Sequence, residues 1–489
     1  MLFVSLVTLT PLSADRAVAQ GACTESLQAQ IDAAPPSSVV LAPPCVYRED
    51  VTIDKPLTLE GGGETEIRGS DVWEASRFSA RADGTWVAPG YPEVATNDSE
   101  CEPGTSRCRW PEQVYYDGQP LTQVDPSSTP EGMQFAVDSD RDLVVGADPS
   151  GRLVEVTVRD SWLTGKRGAK GVVIRGFTMK HSTDAGVWNG LQPNWTIEDS
   201  DLSWAHTANL RLTQAPGLVA NSIHSHHGGQ AGMWGTGSIG LRVSGGEYDH
   251  NNTEEYLATH SSAGIKISAA EGTVFDGVEA HHNTGNGLWF DVPNLAQSAS
   301  NPMTMSNNRV HHNERHGIKC EVSLYCDIHG NVVYENGLGQ DGAGITVHGS
   351  SWARVYDNVV AWNRAGVKIG NPLRSVNHPN EAYYDRVRGI GVYGNKIFQE
   401  RGPNRYALSW TKGYPGGNIY SKAAGNRGRD NSYFLSTSGE PHGLPFRWRY
   451  ELKRLTDFNR TYGEERGRYL TDAEKNNMLA ARGIPTNPE

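Results

Sequence analysis

An all-β solenoid of parallel strands is the fold class this sequence predicts, and three observations predict it. A short phrase returns six times, as GMWGT, GIKIS, GLWFD, GIKCE, GITVH and GVKIG, beginning at Gly232, Gly264, Gly287, Gly317, Gly344 and Gly366. The intervals of 32, 23, 30, 27 and 22 residues are those of a coil repeat built from short strands and tight turns. From Gly287 on, each phrase follows a turn ending in Asn, at Asn283, Asn313, Asn336 and Asn363. Residues within each phrase also alternate, which is the period of a strand.

The alternation assigns faces. Ile265, Ile267, Leu288, Phe290, Ile318, Cys320, Ile345, Val347, Val367 and Ile369 share one phase and point inward. The other phase carries Lys266, Trp289, Lys319, Thr346 and Lys368, and two residues later Ser268, Asp291, Glu321, His348 and Gly370. On successive parallel rungs, equivalent residues sit about 4.8 Å apart at the backbone. Asp291 and Glu321 are then stacked carboxylates, with Ser268 one rung before them and His348 one rung after.

In chain order, residues 1–20 contain an apolar run followed by Ala17-Val18-Ala19, a small-x-small cleavage pattern, and read as a secretory signal without a basic leading region. Residues 21–70 read as an N-terminal cap and first coils. A short amphipathic helix in CTESLQAQIDAA uses Leu27, Ile31 and Ala34 to close the open end, because bare strand edges and apolar side chains there need a cover. Residues 71–165 break the rhythm with Trp73, Trp86, Trp110, Trp162 and a DPSG hairpin turn, and read as an inserted β-rich unit that forms either a cleft wall or a packing lobe.

The main solenoid is expected over 166–425, where Trp188, Arg211 and Trp234 continue the outward column ahead of Lys266. Excursions at EEYLATHSS and at NPLRSVNHPNEAYYDRVR interrupt it, the second carrying Arg374, His378, Tyr383 and Tyr384 toward the groove. Residues 426–489 read as a helical C-terminal cap, with PFRWRYELKRLTDFNRTYG in helical language and a capping sequence at Thr471–Glu474 ahead of a helix that stops at Gly483.

Composition bounds the partners. With 37% hydrophobic and 20% charged residues, the 489-residue chain is a folded protein large enough for one long domain plus attachments. A formal net charge of −12 leaves no basic footprint for nucleic acid or an anionic membrane, and no later run is apolar enough to cross a bilayer. Six cysteines suit an exported, monomeric protein, with Cys23–Cys45 and Cys101–Cys108 as local pairs and the Cys320–Cys326 pairing open. No CxxC occurs to suggest a thiolate zinc site.

The coil lengths, the Asn-bearing turns, the N-terminal helix ahead of VVLAPP and VTIDKPLTLEG, and the G-[ILV]-x-[IFCV] strands resemble the right-handed parallel β-helix of the pectate-lyase-like superfamily over about residues 22–425, without the insert. That resemblance implies a secreted, carbohydrate-active protein among lyases, hydrolases, epimerases and adhesins. Neither the lyase pattern of acidic calcium ligands beside an arginine-bearing strand nor the paired acidic motifs of polygalacturonases are found.

The columns suit glycoside hydrolysis, since retaining enzymes hold two carboxyls about 5–5.5 Å apart. Asp291 is assigned as nucleophile, Glu321 as acid/base and His348 as an orienting or deprotonating group, with no cofactor required. Trp188, Arg211, Trp234, Lys266, Trp289, Lys319 and Lys368 are assigned to polysaccharide binding, Trp289 by stacking on a sugar face. An alternative is a lyase or uronate epimerase in which Lys266, Lys319 or His348 removes a proton and Asp291 with Glu321 holds Ca2+. A non-catalytic adhesive strip is the third reading. The doublets His281/His282 and His311/His312, with His226/His227 in a similar place one coil earlier, read as stacked turn ladders without metal, although neutral imidazoles also suit a transition-metal ion.

Overall fold

The computed structural model describes residues 21–488 apart from 96–98, 270, 292–298, 340–341, 372–386, 403, 413–418, 437–444 and 450. The leader at 1–20 and most of the excursion after Gly370, with Arg374, His378, Tyr383 and Tyr384, lie outside the described residues.

Each central coil supplies one strand to a 13-stranded sheet and two to a 23-stranded set. The coil from Asn286–Asp291 through Met303–Ser306 to Arg309–His311 is representative. Neighbouring rungs pair in parallel without slippage, so Ser268, Asp291, Glu321, His348 and Gly370 are register partners in sequence. The same holds for Trp188, Arg211, Trp234, Lys266, Trp289, Lys319, Thr346 and Lys368.

The inward phase makes the core. Ile265, Leu288, Ile318, Ile345 and Val367 are fully buried, and each side chain contributes roughly 1.5–3 kcal/mol by leaving water. Corners are held by asparagine ladders. Asn251, Asn283, Asn313 and Asn336 each donate from Nδ2 to the Oδ1 of the next, ending on Asn363. A second ladder, not singled out in the sequence, runs through Asn308, Asn331, Asn358, Asn395 and Asn431. Both satisfy buried turn backbone that would otherwise be orphaned.

The N-terminal helix Leu27–Ala33 is capped by Ser26 and buries Leu27 and Ile31 on the first coil, as expected. All three local disulfides are present, including Cys320–Cys326. The insert folds as two sheets around its own core of Trp73, Phe78, Tyr91, Phe135 and neighbours. Its strands run from Ser70–Val72 to Val154–Thr157, and Leu163–Gly165 already pairs in the solenoid with Val51–Ile53 and Val187–Gly190. The insert therefore ends a few residues earlier than the sequence suggested.

At the other end the solenoid runs further than 425. Arg427–Arg429, Ser432–Leu435 and Phe446–Trp448 still pair in parallel with earlier coils. The stretch 445–462 is mostly strand and turn, because Phe446 and Trp448 alternate inward onto Leu408 and Trp410, and only Leu455–Phe458 is helical. Thr471 and Glu474 form the expected capping box ahead of Asp472–Ala480.

Candidate active site

The outward column at Lys266 to His348 is crowded, and burial decides what each residue does. Lys266, Trp289, Lys319 and Glu321 are 6%, 1%, 7% and 1% exposed. Trp289 lies between two ammonium groups, with Lys266 Nζ 3.7 Å and Lys319 Nζ 4.0 Å from its ring. Its faces are thus covered, and the expected stacking of Trp289 on a sugar is not available. The ring instead places two cations, each of which turns to a carboxylate.

Lys266 Nζ is 3.0 Å from Asp291 Oδ2, and Lys319 Nζ is 2.6 Å from Glu321 Oε2. Lys266 also donates to the His260 carbonyl. The two lysines, expected to meet substrate, hold the acid pair. Burial draws the Lys319 ammonium down from its ordinary range, against the opposing pull of Glu321 and Asp291. His348 Nδ1 stands 3.5 Å from the other oxygen of Glu321.

Two polar atoms here have no hydrogen-bond partner among the described residues: Asp291 Oδ1 and the Trp289 indole N–H, both buried. Leaving a buried polar group unpaired costs about 1–3 kcal/mol.

His316 belongs to the site and was not singled out in the sequence. It is 8% exposed, its Nδ1 is 3.0 Å from Thr346 Oγ1, and its backbone N–H donates to Asn286 Oδ1. Burial, reinforced by Lys319 and Lys368, pushes its imidazole well below the usual range, so it is neutral at pH 7. A signal existed. The residue before each phrase's glycine reads Ala231, Ala263, Asn286, His316, Ala343 and Ala365, and the two polar exceptions fall on the rungs of Asp291 and Glu321.

The strip toward the N-terminus stays open. Trp188 is 45% exposed, and Arg211 lies 5.7 Å over Trp234 while pairing with Asp184 at 3.4 Å. Trp188 also edges a cavity of about 310 Å3 lined by Asp50, Asp160, Lys166 and Asp184. Lys368 is half-buried one rung beyond Thr346.

The insert reaches this site through one loop. Arg107 pairs with Glu254 at 3.1 Å, the Ala258 N–H donates to Glu102 Oε1, and Cys101 bridges to Tyr256. That loop supplies the His260 carbonyl to Lys266. A packing lobe and a site support are thus the same object.

The histidine doublets stack as ladders. His227, His250, His282 and His312 lie parallel at 5.3, 5.1 and 4.9 Å. His281 and His311 stack at 4.8 Å beside them. His226/His227 sit two rungs before His281/His282, not one, because Asp249/His250 occupies the intervening coil.

A family profile described as "Right handed beta helix region" matches residues 185–360. No curated protein matches this chain. Among solved structures, XylC in complex with xylose is similar with a TM-score of 0.62 at 14% identity, covering 88% of this chain and 83% of that one. The A-module of the Azotobacter vinelandii mannuronan C-5 epimerase AlgE6 is similar with a TM-score of 0.51 at 14% identity, covering 91% and 94%. At such identities the likeness speaks for architecture, and it agrees with the pairing seen here: the chain folds as a right-handed parallel β-helix.

Proposed function

We propose that this protein is a carbohydrate-active enzyme, and within that class a retaining glycoside hydrolase centred on Asp291 and Glu321. The observation that carries the reading is a register-paired Asp and Glu on adjacent rungs in which Asp291 is anchored by one oxygen and has the other unbonded among the described residues. Adjacent rungs set the two carboxyls near the 5–5.5 Å of a retaining pair, to order of magnitude.

In this mechanism Asp291 Oδ1 attacks the anomeric carbon while Glu321 protonates the departing glycosidic oxygen. Water then enters with Glu321 as base and releases the sugar from Asp291. Lys319 Nζ, 2.6 Å from Glu321 Oε2, holds the acid/base carboxyl in position. Lys266 holds the nucleophile's rotamer through its contact with Asp291 Oδ2. Trp188, Arg211 and Trp234 extend the binding strip along the same register column.

Lys319 also supports a second reading, in which a lysine of lowered basicity removes the proton beside a uronate carboxyl, as suits a lyase or an epimerase. A calcium ion on Asp291 and Glu321 would then have to displace two buried ammoniums, which favours the hydrolase. Product analysis on neutral and uronate polysaccharides separates the two. New saturated reducing ends, unaffected by chelator and lost in Asp291→Asn and Glu321→Gln, are expected. Unsaturated, ultraviolet-absorbing ends, or uronate inversion without cleavage, would replace the hydrolase with the second reading, and binding without product would leave an adhesive strip.

A further inference from the structure

On a different face of the solenoid, three successive rungs gather imidazoles and carboxylates that the reaction above does not use. His224 and His226 lie two apart on one strand, so both side chains leave the same face, and their rings stack at 4.3 Å. Asp201 is one rung below and Asp249 one rung above. His224 Nδ1 is 2.9 Å from Asp201 Oδ2, and His226 Nε2 is 3.3 Å from Asp201 Oδ1.

We infer that Asp201, His224 and His226 form a transition-metal site, with Zn2+ as the ion of matching chemistry. Two imidazoles and a carboxylate are the donor set that zinc takes when a fourth position is left to water. The separations of 2.9 and 3.3 Å are close to the ~3.3 Å edge of a tetrahedron with metal–ligand bonds of about 2.0–2.1 Å, so the ion takes the place of the protons now shared with Asp201. Nearly 40% side-chain exposure of both His224 and Asp201 gives the ion its entry from solvent.

The supporting contacts are those of ligating histidines, which pass their other ring nitrogen to a fixed acceptor. His224 Nε2 is 2.9 Å from Asp249 Oδ1, and Asp249 is 6% exposed, so a buried carboxylate orients that ring. His226 Nδ1 faces His227 Nδ1 at 2.7 Å, and His227 is stacked against Trp204 at 4.5 Å. Trp204 in turn lines a cavity of about 190 Å3 against Tyr115 and Gln113 of the insert. A metal here ties two coils together at the seat of the insert, which makes its role structural.

The test uses untagged full-length protein, treated with chelator, exchanged into buffer, and titrated with Zn2+ alone by calorimetry and with Co2+ by visible absorption. One ion per chain and tetrahedral cobalt bands are expected. Binding should weaken by at least about 10-fold in His224→Ala and in the isosteric Asp201→Asn, which keeps the measurement open if the alanine variant fails to fold, and by about 10–100-fold in Asp249→Asn. Absence of stoichiometric binding overturns the site. So does binding that is unchanged in folded Asp201→Asn, or that is lost in His281→Ala while His224→Ala still binds.

Discussion

Two clusters of buried charge sit on this solenoid, and they are finished differently. At the joint between insert and first coils, Glu155 is 1% exposed and meets Arg68 Nη1 through both oxygens at 2.9 and 2.8 Å, Arg48 at 2.9 Å and Ser70 Oγ at 3.1 Å. Both oxygens of that carboxylate are engaged. At the candidate site, Asp291 is held through one oxygen by a lysine, and its other oxygen and the neighbouring indole N–H have no partner among the described residues. The donors differ as well, since the planar fork of arginine grips a carboxylate, whereas lysine offers a point charge that yields its proton when buried.

Substitutions sharpen that contrast. The largest effect expected is on rate: Asp291→Asn and Glu321→Gln each reduce turnover by about 10²–10⁴-fold, with the melting temperature of Asp291→Asn close to the natural protein's and that of Glu321→Gln lowered, because its buried partner Lys319 is left unpaired. Measured kcat and thermal melts on the same preparations check both halves, and a large loss of stability with little loss of rate would mean that the pair is structural.

Glu155→Gln should show the reverse. Removing one partner of a buried ion pair destabilises by about 3–5 kcal/mol, so the melting transition falls while kcat of the folded enzyme holds. Burial raises the Glu155 carboxyl, but His181 and the two arginines outweigh it and hold the pKa down at about 2. A folded-state value below the unfolded one gives stability that is full above about pH 4.5 and is lost as pH falls toward 2. Acid melts should therefore decline over that window in the natural protein and far less in Glu155→Gln.

The smallest effect belongs to the open strip. Trp188→Ala should raise KM several-fold on polymer, with kcat nearly unchanged and stability within about 0.5 kcal/mol. An unchanged KM would take Trp188 out of the substrate path.

The sequence alone carried the architecture because a coil repeat writes itself into the chain. Inward Ile265, Leu288 and Ile318 and the turn asparagines recur with a period that counting finds, and the register of Asp291 on Glu321 followed from it. The insert's limits and the last coils were less legible, since Leu163–Gly165 and Phe446–Trp448 are single strands with no repeat around them to announce their pairing. What tertiary structure decided is which atoms remain free. Trp289, Lys266 and Lys319 share an outward phase, yet stacking at about 4.8 Å per rung presses them against one another, so the ring is covered and the cations turn to the carboxylates. A pattern of period two tells which face a side chain leaves from, and only neighbours on adjacent coils, tens of residues away in sequence, determine whether it reaches solvent.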